Sequence, residues 1–185
     1  METREEMKNR FKAYRQSLYD QYPEVDRFVK RKSRFLSLLL IICLIQNFTT
    51  VLGLKITMEA SIGVFIMAAL VRIGTQLIFI LAAMTPRWQI SLGLYIMAVD
   101  RIANYIRQLL PHLENYSIQD IFNANQAIIA RWPWMGFAII LEPVLPVLTL
   151  FTAMWLTIPA KNRRYAEKSE EINKKFMEFI SKETK

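Results

Sequence analysis

The sequence predicts an all-α fold: an integral membrane four-helix bundle with amphipathic cytoplasmic helices at its N- and C-terminal ends. Three observations predict it. Trp132 to Pro159 carries a single charge, Glu142, and is long enough to cross a hydrocarbon core that about 20 apolar residues span. Charge is concentrated at the ends, with ten Lys/Arg against six Asp/Glu in residues 1–34 and eight against five in 160–185. Each end also carries an apolar stripe of helical period.

The 185 residues are one domain's worth of chain, 53% hydrophobic with a formal net charge of +8. The mean hydropathy of +0.18 averages polar tails with a middle too apolar for water. The basic charge flanks apolar runs, which marks retention of both tails on the cytoplasmic side and argues against nucleic acid as a partner. Cys43 is the single cysteine, so a disulfide framework and a thiolate metal cluster are excluded. About 34 polar residues precede the first apolar run, which therefore resembles a signal anchor more than a cleaved signal peptide.

In order, residues 1–34 form a basic amphipathic segment. Met7, Phe11, Tyr14 and Leu18 share one face among Lys and Arg, fitting a helix on an anionic leaflet or on another helix. Pro23 ends that helix, and KRKSR leads into the first span, Phe35 to Leu54. Gln46, Asn47, Thr49 and Thr50 make its last turns polar, and neutral amides inside a membrane usually bond to neighbouring helices. Lys55 to Glu59 reads as a short turn before the second span, Ala60 to Met84, with Arg72 at its centre and Gln76 one turn on. Thr85-Pro86-Arg87 closes a hairpin into Trp88 to Leu110. That segment holds Asp100, Arg101, Asn104, Arg107 and Gln108, and is either a span with a wet stripe or a helix at the interface. Four crossings put both basic tails on the cytoplasmic side, and three put them on opposite sides, so the segment is taken as a span.

Residues 111–131 form an outer loop in which Ser117 and Asp120 spell a helix-capping box, with Asp in place of the usual Glu or Gln. The fourth span covers 132–158, with Pro143 and Pro146 expected to break or bend it beside Glu142, since proline removes backbone donors. Residues 159–185 form a basic amphipathic helix with Tyr165, Ile172, Phe176, Phe179 and Ile180 as its stripe.

Four spans with both ends inside fix the direction of each helix. Arg72, Asp100, Arg101 and Glu142 then fall at one level, roughly 15 to 18 Å below the outer surface at 1.5 Å per residue. Gln46, Asn47, Gln76, Asn104 and Arg107 extend this polar layer. Ionisable groups at that depth need partners, and the expected pairs are Arg72 with Glu142 and Asp100 with Arg101 or Arg107. His112, beside Pro111, reads as an interfacial histidine.

HExxH, GxSxG, Gly-rich phosphate loops and close paired carboxylates are missing from the sequence, so no catalytic, metal or cofactor site is assigned. The leading expectation is a non-catalytic subunit or accessory protein of a membrane assembly, in the plasma membrane or an organelle. Its partners are the lipid bilayer and either other membrane proteins or copies of itself. The alternative is a small transporter or channel protomer using the polar layer for protons, ions or an anionic solute. A third reading is an enzyme acting on lipid headgroups through Asp100, Glu142 or His112.

Overall fold

The computed structural model describes residues 3–58 and 62–183, and only the backbone of 54–58, 62, 64, 65, 68, 69 and 72. The described residues form seven α-helices and no strand: α1 (Arg4–Asp20), α2 (Pro23–Met58), α3 (Ile62–Met84), α4 (Gly93–Asn115), α5 (Ile118–Arg131), α6 (Met135–Thr157) and α7 (Ala160–Glu183). A short 3-10 helix, Trp88–Leu92, leads into α4. Two helical stretches, Pro23–Gly53 and Met135–Thr157, are long and apolar enough to cross a membrane, and Ile73–Met84 is a shorter apolar stretch.

Local chemistry explains the boundaries. Thr3 and Glu6 form a reciprocal capping box that starts α1, satisfying backbone donors that the first helical turn leaves without partners. Pro23 opens α2, where its missing N–H costs nothing. The same reciprocal arrangement of Ser117 and Asp120 starts α5. Several boundaries differ from those read in the sequence. The turn expected at Lys55 to Glu59 is helical up to Met58, because nothing from Gly53 to Met58 prevents the helix from continuing, and residues 59–61 lie outside the described residues. The segment expected to begin at Trp88 enters through the 3-10 turn, and its α-helix extends past Pro111 to Asn115. The break expected at Pro143 and Pro146 does not interrupt α6, which is helical through both. Each proline removes one backbone donor, and Leu145 and Pro146 are both buried.

The core is a layer of α2, α3, α4 and α6. Leu36, Leu39 and Cys43 of α2 meet Ile80 and Ala83 of α3, Leu94 and Met97 of α4, and Leu145, Ala153 and Leu156 of α6. On α2, Phe28, Lys32, Leu36, Leu39, Cys43 and Gln46 are buried, at the spacing of one helical stripe. The opposite stripe, Leu38, Ile41, Ile45 and Phe48, is exposed.

The two tails fold against each other. Phe179 of α7 stacks on Tyr14 at 4.0 Å and meets Phe11 edge-on at 6.0 Å. Tyr19 and Ser169 share a buried hydroxyl hydrogen bond of 3.2 Å, and Arg10 pairs with Glu183 at 2.6 Å. The turn after α3 joins this end of the molecule: Lys32 Nζ donates to the Thr85 carbonyl at 2.7 Å, and Arg87 pairs with Glu170 at 3.1 Å. Gly53 sits at the other end, where a Cβ would come within 2.9 Å of Met135 Cε. Gly53 is small where α2 and α6 approach each other.

Candidate functional site

The polar groups of α2 face inward because they continue its buried stripe. Gln46 and Asn47 are both fully buried. The Gln46 amide donates to the Glu142 carboxylate of α6 and, more weakly, to Thr50 Oγ1 at 3.3 Å. Asn47 Nδ2 donates to the Cys43 carbonyl at 2.7 Å and to Gln76 Oε1 of α3 at 2.5 Å. Thr49 returns its hydroxyl to the backbone of its own helix at 2.9 Å. These contacts tie α2 to α3 and α6 at one level. The Gln46 Oε1 and Asn47 Oδ1 atoms are buried without a hydrogen-bond partner.

The fourth helix contributes two different faces. Arg101 is 9% exposed and its guanidinium donates to Cys43 Sγ at 3.5 Å. Asp100, the preceding residue, is exposed. Consecutive helical residues point about 100° apart, so Asp100 turns outward where Arg101 turns in. The expected pairing of Asp100 with Arg101 or Arg107 is therefore not formed, and Arg107 is exposed two turns further on. The Arg72 side chain, and with it the expected Arg72–Glu142 pair, lies outside the described residues.

Between α3 and α4 a cleft of about 640 Å³ opens, with Glu142 in its lining. Thr75, Gln76, Asp100, Arg101, Asn104 and Gln108 supply the rest of its polar lining, against Phe79, Ile96 and Met97. Four residues of the expected polar layer bond in pairs, Gln46 with Glu142 and Asn47 with Gln76, and Gln76 and Glu142 share the cleft lining with Asp100 and Arg101. Asn104 joins them, and Arg107 does not. His112 is exposed, its ring 6.5 Å from that of Tyr116.

Lys32 is a site residue that sequence reasoning missed. Lys32 belongs to the basic cluster KRKSR that leads into the first span, yet it is 5% exposed. The signal was its spacing, four residues after Phe28 and four before Leu36, on the apolar stripe. It lies on the polar side of Phe35, outside the apolar run. Burial there lowers its ammonium to about 8. It caps the end of α3 by accepting that cost in exchange for the bond to Thr85, at the pole where helix carbonyls favour a cation.

No cluster of three or more His, Cys, Asp or Glu able to hold a metal occurs among the described residues. No family model, curated protein or solved structure matches the chain.

Proposed function

We propose that this is a four-span integral membrane protein, with the apolar part of α2, α3, α4 and α6 as its spans and α1 and α7 as a basic module on the cytoplasmic face. It serves as a non-catalytic subunit or accessory protein of a membrane assembly. The observation that carries this reading is the packing of the two tails on each other through Phe11, Tyr14 and Phe179. Tails in contact lie on one side of a bilayer, so an even number of crossings separates them. The Lys32–Thr85 bond brings the end of α3 back to the same side, which favours four crossings over two. The positive-inside rule makes that side cytoplasmic.

The accessory role is supported by the way the polar layer engages its own bundle. Gln46 answers Glu142 and Gln76 answers Asn47, the kind of buried contact that fixes register between helices. Affinity purification from native membranes tests the role. A different polypeptide at fixed stoichiometry is the expected result, and a chain recovered only with itself contradicts it.

A second reading, a small transporter or channel protomer, is favoured by one feature. Asp100, Asn104 and Gln108 recur every four residues along the cleft, and no hydrogen bond or ion pair engages them among the described residues. On that reading purified protein in liposomes supports a solute or proton flux, and Asp100→Asn abolishes it while leaving the fold intact.

A further inference from the structure

We propose that the cleft between α1 and α2 is a binding site for one anionic phospholipid, which lies along the outer face of α2. The proposal rests on the membrane reading and names a partner for it. The turn at Tyr22 and Pro23 folds α1 back beside α2, leaving a cleft of about 470 Å³ lined by Lys12, Arg15, Lys30 and Arg34. Asp26 is its one carboxylate, and it is already engaged by Lys30 at 2.5 Å. Arg15 rests over the Phe176 ring at 5.7 Å. Lys12, Arg15 and Arg34 have no carboxylate partner among the described residues, and all four cations are exposed. Several unpaired cations around one concavity suit a phosphate, which a guanidinium can grip through two parallel hydrogen bonds.

What commits the ligand to a lipid is the continuation of the same helix face. Lys30, Arg34, Leu38, Ile41, Ile45 and Phe48 share one stripe of α2, at spacings of three or four residues. The last four are 54%, 53%, 45% and 67% exposed. The face changes from cationic to apolar at Phe35 and then runs on for about 20 Å at 1.5 Å per residue. A headgroup in the cleft therefore has an acyl path directly beneath it, which a soluble anion would leave unused. A juxtamembrane cation contributes roughly fivefold to the binding of an anionic lipid, so removing three weakens it about a hundredfold.

The test is native mass spectrometry of the delipidated protein in neutral detergent, titrated with dioleoylphosphatidylglycerol or dioleoylphosphatidylcholine. One phosphatidylglycerol should bind at concentrations where phosphatidylcholine does not, and glycerol 3-phosphate at the same concentration should not displace it. The variant Lys12→Gln/Arg15→Gln/Arg34→Gln should lose about two orders of magnitude in affinity. An off-site variant with the same charge loss, Arg4→Gln/Lys8→Gln/Lys182→Gln, should keep it, as should the charge-preserving Lys12→Arg/Arg34→Lys. Equal binding of the two lipids, equal losses in the cleft and off-site variants, or displacement by glycerol 3-phosphate would each overturn the proposal. Failure of the wild type to incorporate into phosphatidylcholine liposomes would instead remove the membrane reading on which it stands.

Discussion

Replacing Gln46 and Glu142 by leucine, singly and together, separates a contact that holds helices in register from two polar groups that are merely close. Gln46 is fully buried and its amide donates to Glu142 and weakly to Thr50. Gln46→Leu removes a donor from a carboxylate, and hydrogen bonds to charged groups are worth about 1.5 to 3 kcal/mol. Inside a bilayer the measured range is lower, about 0.6 on average and 1.7 at most. Glu142→Leu leaves a buried amide with only the long bond to Thr50, a desolvation cost of about 1 to 3 kcal/mol. It should be the more damaging single change, because Glu142 also interacts beyond Gln46. The double variant leaves neither partner behind, so its loss should fall short of the sum by about 1 to 2 kcal/mol. The assay is unfolding of the reconstituted protein followed by tryptophan fluorescence across the four-member cycle. Losses that add to within about 0.5 kcal/mol would mean the two side chains are not coupled, and the account of the polar layer would be wrong.

Two further outcomes follow from the tails and from Lys32. Phe179→Asp places a charge between the rings of Phe11 and Tyr14 and should release α1 from α7. Trypsin should then cut at Arg10, Lys12 and Arg15 several times faster while the apolar helices stay protected, and an unchanged rate would remove the aromatic contact as the clamp. Lys32 holds its proton up to about 10.5 when unfolded but only to about 8 in the fold. Between those values the unfolded chain carries more protons, so stability rises with pH, by at most about 3 kcal/mol. Lys32→Met should flatten that rise in a denaturation series from pH 7 to 11, whereas an unchanged slope would place the titration elsewhere.

Much of the helical layout was legible because its signals are local. The stripes of α1 and α7, the stop at Pro23 and the capping box at Ser117 each depend on residues within a few positions of one another. The meeting of Gln46, Asn47, Gln76, Asp100, Arg101, Asn104 and Glu142 was legible only as a shared depth, counted at 1.5 Å per residue along separate helices. Which of them touch depends on how each helix is rotated, and hydropathy does not encode rotation when a span is apolar all round. Hence the Gln46–Glu142 contact is not legible in the sequence, and the expected Arg72–Glu142 pair lies outside the described residues. Asp100 is likewise expected to pair with Arg101 or Arg107, but Arg101 turns inward and Arg107 lies two turns further on. Pro143 and Pro146 do not end α6, because a helix tolerates the loss of single backbone donors when the turns on either side carry on. Lys32 was underread, since its neighbours in KRKSR are solvated and only its place on the buried stripe distinguishes it.

The claim on which all of this depends is an even number of crossings, with both tails on one side and the α4–α5 junction on the other. Cysteines introduced singly at Glu5, Asn115 and Lys182, all exposed, in a Cys43→Ser background, report it through a membrane-impermeant maleimide added to sealed, oriented vesicles. The account predicts that positions 5 and 182 are labelled from the cytoplasmic side alone and position 115 from the opposite side alone. Labelling of 5 and 182 from opposite sides, or of 115 from the same side as the tails, would contradict it.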